Sequence, residues 1–228
     1  MNLKKYFSNF FRIIDLENIL YPAMCSNCTS PINKKTIFCK SCKDRLQRLV
    51  PINFKLTEKY TLRVMAAAAY KPPIKNLILK KHFEDKVASI ELAQLILELT
   101  QIKAFKFDYI VPVPLHWTRY SKRGFNQAKV MAKELSKNLK IPVKNILKRK
   151  KRTIFQSILT GDKKETNVKD AFSIKYFFLK SSYEKLKDKE ILIVDDLCTS
   201  GSTLRSAAKT LLDLNPKNVT AIVACRAC

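Results

Sequence analysis

The 228-residue chain holds only three glycines, Gly124, Gly161 and Gly201. Neither a G-x-G-x-x-G turn nor a Walker A loop can be written with them, which excludes dinucleotide binding and P-loop hydrolysis of the standard kinds. Its two histidines, His82 and His116, stand in no triad and no metal-binding spacing. No run of about 18 apolar residues occurs, so no helical membrane span is expected. The N-terminal stretch soon carries Arg12, Asp15 and Glu17 and has no small-residue cleavage site, so a signal peptide is not expected. Phe7, Phe10, Phe11, Ile14 and Leu16 mostly recur there at helical spacing. That pattern suits a helix packed on its own protein, with a helix lying on a membrane as the alternative. Repeats and low-complexity tracts are absent. Acid is also scarce: 19 Asp+Glu stand against 44 Lys+Arg, a formal charge of +25. Such an excess costs self-repulsion and points to polyanionic partners, either nucleotide phosphates, nucleic acid or a lipid surface. An AT-rich coding sequence and plain solubility account for part of it.

What is present suffices for a folded core, since 46% of the residues are hydrophobic. The length suits one good-sized domain and a small appendage. Without a leader the expected compartment is the cytoplasm, and the seven cysteines are expected as thiols or metal ligands rather than disulfides. Four of them form two knuckles, Cys25-x2-Cys28 and Cys39-x2-Cys42, ten residues apart. Each knuckle offers two soft donors from one side, and together they make the four-thiolate tetrahedron of a structural Zn²⁺ site. A set of four leaves no open coordination position, so catalysis at the metal is not expected. Cys225-x2-Cys228 has no second pair nearby. Two small apolar residues at a terminus is the plain reading, with redox chemistry or a second metal as the alternative.

After the cysteines, Pro51–Tyr60 is polar and mixed and is expected as a linker. Alternating strands and helices follow. Strands are expected at Arg63–Tyr70, Asp108–Val113, Ile191–Val194 and Val219–Val223. Helices are expected at Pro72–Lys81, Asp85–Thr100, from Asn126 as cap, and at Ser202–Leu214. Lys148–Asn167 is polar and basic without periodicity. This alternation means a parallel sheet covered on both faces.

The most informative stretch is Ile191–Leu204, ILIVDDLCTSGSTL. An aliphatic strand runs into Asp195-Asp196, then into a hydroxyl-rich turn opening a helix. Ligands of such sheets bind beyond the carboxyl ends of the strands. The helix N-terminus there suits a phosphate, with Gly201 permitting close backbone approach and Thr199, Ser200, Ser202 and Thr203 adding hydroxyl donors. The two acids repel that phosphate but can accept hydrogen bonds from vicinal ribose hydroxyls. The stretch therefore describes a ribose 5-phosphate site. Val111–His116 (VPVPLH) ends another strand, and Arg119, Lys122 and Arg123 follow before Gly124-Phe125-Asn126-Gln127. A turn of Val113, Pro114 and Leu115 with those cations suits a pyrophosphate carrying Mg²⁺.

ILIVDDLCTSGSTL closely resembles the phosphoribosyl pyrophosphate signature of type I phosphoribosyltransferases. The resemblance implies that Asp195 and Asp196 hold the ribose hydroxyls and that Thr199, Ser200, Gly201, Ser202 and Thr203 cradle the 5-phosphate. Cys198 departs from it, standing where a hydroxyl residue is common. PVPLHWTRYSKRGFNQA and QSILTGDKKETNVKDAF, with the cysteines, extend the likeness over essentially the whole chain to the ComF family, the competence-linked phosphoribosyltransferase-like proteins of bacteria. By that likeness the basic segment with Arg152, Thr153, Gln156 and Lys164 occupies the position of a mobile catalytic loop, a disordered surface loop being the competing reading. Lys164 stands where arginine is usual, which keeps the charge but loses bidentate contact.

The implied fold is an α/β type I phosphoribosyltransferase domain, a Rossmann-like parallel sheet, over 61–228. Residues 1–60 are expected as an N-terminal helix, a zinc-ribbon-like module and a linker. The resemblance implies a role in DNA uptake during natural transformation, binding phosphoribosyl pyrophosphate with Mg²⁺ and single-stranded DNA, in the cytoplasm or peripherally at the inner membrane. Two alternatives stand. One is an active phosphoribosyltransferase, with Asp195 and Asp196 orienting the ribose and offsetting the charge developing at C1 while a nitrogen nucleophile attacks. The other is a zinc-dependent scaffold for the competence or membrane DNA-uptake machinery.

Overall fold

A computed structural model describes residues 22–32, 36–80, 86–115, 124–150, 171–175 and 186–227. The chain divides into two compact units, Met1–Arg45 and Leu46–Cys228. Among its described residues the first unit has a short helix, α1 (Lys40–Asp44), and a bridge between Met24 and Pro31.

In the second unit the elements run β1 (Ile52–Lys55), β2 (Thr61–Ala69), α2 (Ile74–Lys80), α3 (Lys86–Leu99), a single 3₁₀ turn (Ile102–Ala104), β3 (Tyr109–Pro112) and α4 (Gln127–Leu139). They continue with β4 (Leu147–Arg149), β5 (Phe172–Ile174), β6 (Glu190–Cys198), α5 (Ser202–Leu212) and β7 (Asn218–Arg226). The main sheet has the order β1-β2-β7-β6-β3, and β4 pairs with β5 in a separate antiparallel pair. All neighbours in the main sheet are parallel except β1, which runs antiparallel to β2. This is the α/β architecture of the sequence reading.

Burial explains why the central strands lack polar alternation. Ile191, Ile193, Val111, Val219 and Ala221 pack on Leu204, Ala207 and Leu211 of α5. Residues of the opposite parity, Leu192, Val194, Ile110 and Ile222, are equally buried, so both faces are covered. α4 begins as its sequence dictates: the Asn126 side chain accepts the Lys129 N–H at 3.3 Å, and Met131 and Leu135 are fully buried.

The structure differs from expectation at two boundaries. Residues 51–60 are not a linker: Ile52–Lys55 forms β1, in register from Ile52↔Val64 to Lys55↔Thr61. The break between units accordingly falls after Arg45 rather than after Tyr60. β6 also runs through the two aspartates to Cys198 instead of ending at Val194, because β7 is long enough to pair with it as far as Cys198↔Arg226. Among the described residues no helix is long and apolar enough to cross a membrane. The expected N-terminal helix lies outside the described residues.

Candidate functional site

The ladder between β6 and β3 stops at Val194↔Pro112, whereas that between β6 and β7 continues four residues further. The last four residues of β6, Asp195–Cys198, therefore step out past the end of β3. Val113 leaves β3 at this step, with its N–H donating to Val194 O at 2.9 Å and its carbonyl accepting Asn126 Nδ2 at 3.0 Å. Asp195 and Asp196 are half-buried here, on successive strand positions that face opposite sides of the sheet. Asp195 Oδ1 accepts the Asp196 N–H at 2.9 Å. Pro114 and Leu115 are half-buried beyond Val113. Arg119 and Arg123, the expected cations of this loop, lie outside the described residues, as do His116, Lys122 and Arg152, Thr153, Gln156 and Lys164.

The hydroxyl-rich turn follows directly. Gly201 caps α5 in the left-handed region, φ 73° and ψ 0°, a conformation open to glycine at little cost. Thr199 and Ser200 are exposed and Thr203 is half-buried. Ser200 Oγ donates to Ser202 Oγ at 3.0 Å, which ties the turn across the glycine. Here a strand end carrying two carboxylates leads, within five residues, into a helix N-terminus. The arrangement can hold an ester with hydroxyls at one end and a phosphate at the other.

Cys198 takes no part in the polar surface. It is 2% exposed, packed in the core beneath the turn, and burial followed by the charge of Asp195 pushes its thiol up to about 11. Its place in the signature is thus filled by a small apolar group. Cys225 is wholly buried one strand away, and Cys228 lies outside the described residues.

Two further side chains border the turn and the strand ends. Phe54 of β1 lies against Gly201: a Cβ on that glycine would stand 2.5 Å from Phe54 Cζ. Tyr70, just past β2, donates its N–H to Arg226 O at 2.8 Å. Burial, then the negative field of Cys225 and Asp196, raises the Tyr70 phenol above its ordinary value. The alternation of Ile52, Phe54 and Leu56 was the available signal for β1. For Tyr70 only its place at the end of an expected strand pointed to it.

In the first unit the four cysteines converge. The Sγ atoms of Cys25, Cys28, Cys39 and Cys42 all lie within 4.8 Å of one another. A tetrahedron with Zn–S of about 2.3 Å has edges of about 3.8 Å, so the set fits a structural zinc ion. The knuckles are held together by backbone bonds: Thr29 N–H to Cys25 O at 3.0 Å and Ser26 N–H to Ile37 O at 3.0 Å. Asn27 Nδ2 and an Arg45 guanidinium nitrogen each donate to Cys42 Sγ at 3.2 Å. Ser30, through its hydroxyl and its amide, draws the exposed Cys28 thiol down to about 6. Donors aimed at sulfur are the outer shell that thiolate ligands require.

Comparison with known proteins bears on both units. The model of the family described as "Phosphoribosyl transferase domain" matches residues 90–227. Competence protein F of Haemophilus influenzae is 30% identical over 221 residues, spanning 92% of this chain and 94% of that protein. DNA utilization protein YhgH of Escherichia coli K12 is 29% identical over 196 residues, spanning 83% of this chain and 78% of that protein. Competence protein ComFC of Bacillus subtilis is 29% identical over 126 residues, 49% of this chain and 47% of that protein.

Proposed function

The chain belongs to the phosphoribosyl transferase domain family and, within it, to the ComF proteins, and from that premise we propose that it serves DNA uptake in natural transformation, binding phosphoribosyl pyrophosphate with Mg²⁺ and single-stranded DNA. One observation carries the ligand reading: the stepped end of β6, where Asp195 and Asp196 stand six and five residues ahead of Gly201, the cap of α5. Half-buried carboxylates are hard oxygen donors of the kind Mg²⁺ takes, so the donor set fits that ion. Asp195 and Asp196 receive the ribose hydroxyls, and Thr199, Ser200, Gly201, Ser202 and Thr203 receive the 5-phosphate. Val113, Pro114 and Leu115 with Arg119 and Arg123 receive the pyrophosphate. Calorimetric titration with Mg²⁺ and phosphoribosyl pyrophosphate tests this directly: one ligand is taken up per chain, and absence of heat and of competition by ribose 5-phosphate defeats the reading. Release of pyrophosphate when candidate nitrogen nucleophiles are added separates an active transferase from a binding protein.

The names of the relatives, competence and DNA utilization, supply the cellular part of the proposal, a role in handling transforming DNA. A specific surface favours the nucleic-acid contact. Toward the amino-terminal ends of the strands, the Arg63 guanidinium of β2 lies 5.1 Å from the centroid of Phe105, which is 36% exposed, and Phe107 stands 6.3 Å from Phe105. Lys103 and Lys106 are exposed beside these rings. Cations interleaved with aromatic faces suit stacked bases of a single strand. Replacing Arg63, Lys103 and Lys106 by alanine is expected to weaken single-stranded DNA binding. It should also flatten the slope of log affinity against log salt by about 2, at roughly 0.7 per phosphate contact. An unchanged slope in a fluorescence-anisotropy titration moves the DNA elsewhere on the protein.

A further inference from the structure

The segment that looks like a linker in the sequence carries an aromatic ring onto the phosphate turn. Phe54 sits in β1, fixed by its pairing with Leu62 of β2. An added Cβ at Gly201 would meet Phe54 Cζ at 2.5 Å, Cε2 at 2.6 Å and Cε1 at 3.3 Å, so the ring fills the space a side chain would need. Four residues on, the Arg205 guanidinium lies 5.4 Å from the centroid of the same ring. The Arg205 N–H donates to Gly201 O at 2.9 Å, closing the first turn of α5. Residues four apart share one face of a helix, so the ring docks on that face between Gly201 and Arg205. Position 201 is thus restricted twice, by a positive φ and by the ring.

We propose that Phe54 is a positioning residue of the phosphate turn: packed on Gly201 and capped by Arg205, it holds the first turn of α5 in its binding shape before ligand arrives. The inference rests on the sugar-phosphate reading of that turn. Donors fixed in advance cost no ordering when the anion binds, whereas a turn released from its support must be ordered at the expense of affinity. A ring that served the core alone would, when removed, lower stability and weaken all ligands alike.

The test uses the full zinc-replete chain as wild type, Phe54→Ala, Phe54→Leu, Gly201→Ala and Phe54→Ala/Gly201→Ala. Affinities are measured for phosphoribosyl pyrophosphate, ribose 5-phosphate and inorganic pyrophosphate, with amide hydrogen exchange followed over 199–205 and over 191–197. Phe54→Ala is expected to weaken both 5-phosphate ligands by about tenfold, with pyrophosphate changed less than about twofold and Phe54→Leu falling between. Exchange over 199–205 accelerates by about tenfold while 191–197 keeps its protection. The double variant binds no worse than Gly201→Ala alone, because the clash and its relief share one contact. Unchanged exchange over 199–205, equal loss for all three ligands, or fully additive effects would overturn the proposal. If the wild type binds none of the ligands yet Phe54→Ala still loosens 199–205, the sugar-phosphate reading falls and the positioning role stands.

Discussion

Replacing Asp195 and Asp196 together by asparagine is expected to weaken phosphoribosyl pyrophosphate by about a hundredfold while leaving the fold intact. A hydrogen bond to a charged group contributes roughly 1.5–3 kcal/mol, and charge-assisted bonds are about twice as strong as neutral ones. Two ribose hydroxyls that lose this assistance forfeit about 1.5–3 kcal/mol together, and loss of a hard anionic donor for Mg²⁺ adds to it. The fold survives because asparagine keeps an oxygen where Asp195 Oδ1 accepts the Asp196 N–H. β6 stays paired to β7 through backbone alone.

The same variant carries an internal check. Burial and the Asp195 charge together push the Cys198 thiol up to about 11. Removing that charge removes one of the two upward pressures, so thiolate absorbance should rise at a lower pH than in the wild type, with burial still holding the thiol above its ordinary value. Asp196 acts instead on Tyr70, whose phenol should titrate lower once Asp196 is neutral. The two acids thus face different surroundings, and the single variants are expected to differ in effect. Unchanged ligand affinity, in a double variant whose Cys198 titration has moved, would sink the ribose assignment without any appeal to misfolding.

What the sequence disclosed and what it hid divide along the range of the interactions. The β6–α5–β7 unit was legible because an aliphatic run, two acids and a hydroxyl turn are local signals, each with its own structural meaning. The end of β6 was misplaced for a physical reason. Acids are poor strand formers, so Asp195 looks like a stop. The strand continues because β7 offers a partner as far as Arg226. Local propensity lost to a long-range ladder. β1 was hidden similarly: Asn53, Lys55, Glu58 and Lys59 give residues 51–60 a linker's composition. Asn53 and Lys55 are the solvent side of an edge strand whose inner side is Ile52 and Phe54, while Glu58 and Lys59 stand exposed in the bend that follows buried Leu56. The approach of Phe54 to Gly201 joins residues 147 positions apart in the chain, and no periodicity within either segment encodes it.

Stripping zinc is expected to unfold the first unit and leave the second standing. Among the described residues of Met1–Arg45, the buried apolar side chains are Cys25, Phe38 and Cys42. One phenylalanine contributes about 1.5–3 kcal/mol on burial, which cannot order a segment of this length against its conformational entropy. A structural zinc ion supplies an apparent 10–16 kcal/mol, roughly, and four converged thiols are what it needs. Full-length protein should therefore hold one zinc per chain by elemental analysis. Cys25→Ser or Cys42→Ser, at the two buried ligands, should lose it, and hydrogen exchange over 22–45 should approach that of an unfolded chain. Residues 46–228 have their own sheet and core, so their thermal transition should persist, and Cys198→Ala should keep the metal. If phosphoribosyl pyrophosphate binding survives while DNA binding is lost in the stripped protein, the module carries the nucleic-acid contact. If both survive, its use lies in recruiting other proteins, as the scaffold reading requires. A metal-free chain whose residues 22–45 remain protected would refute the zinc assignment, since nothing else described in that unit can hold it folded.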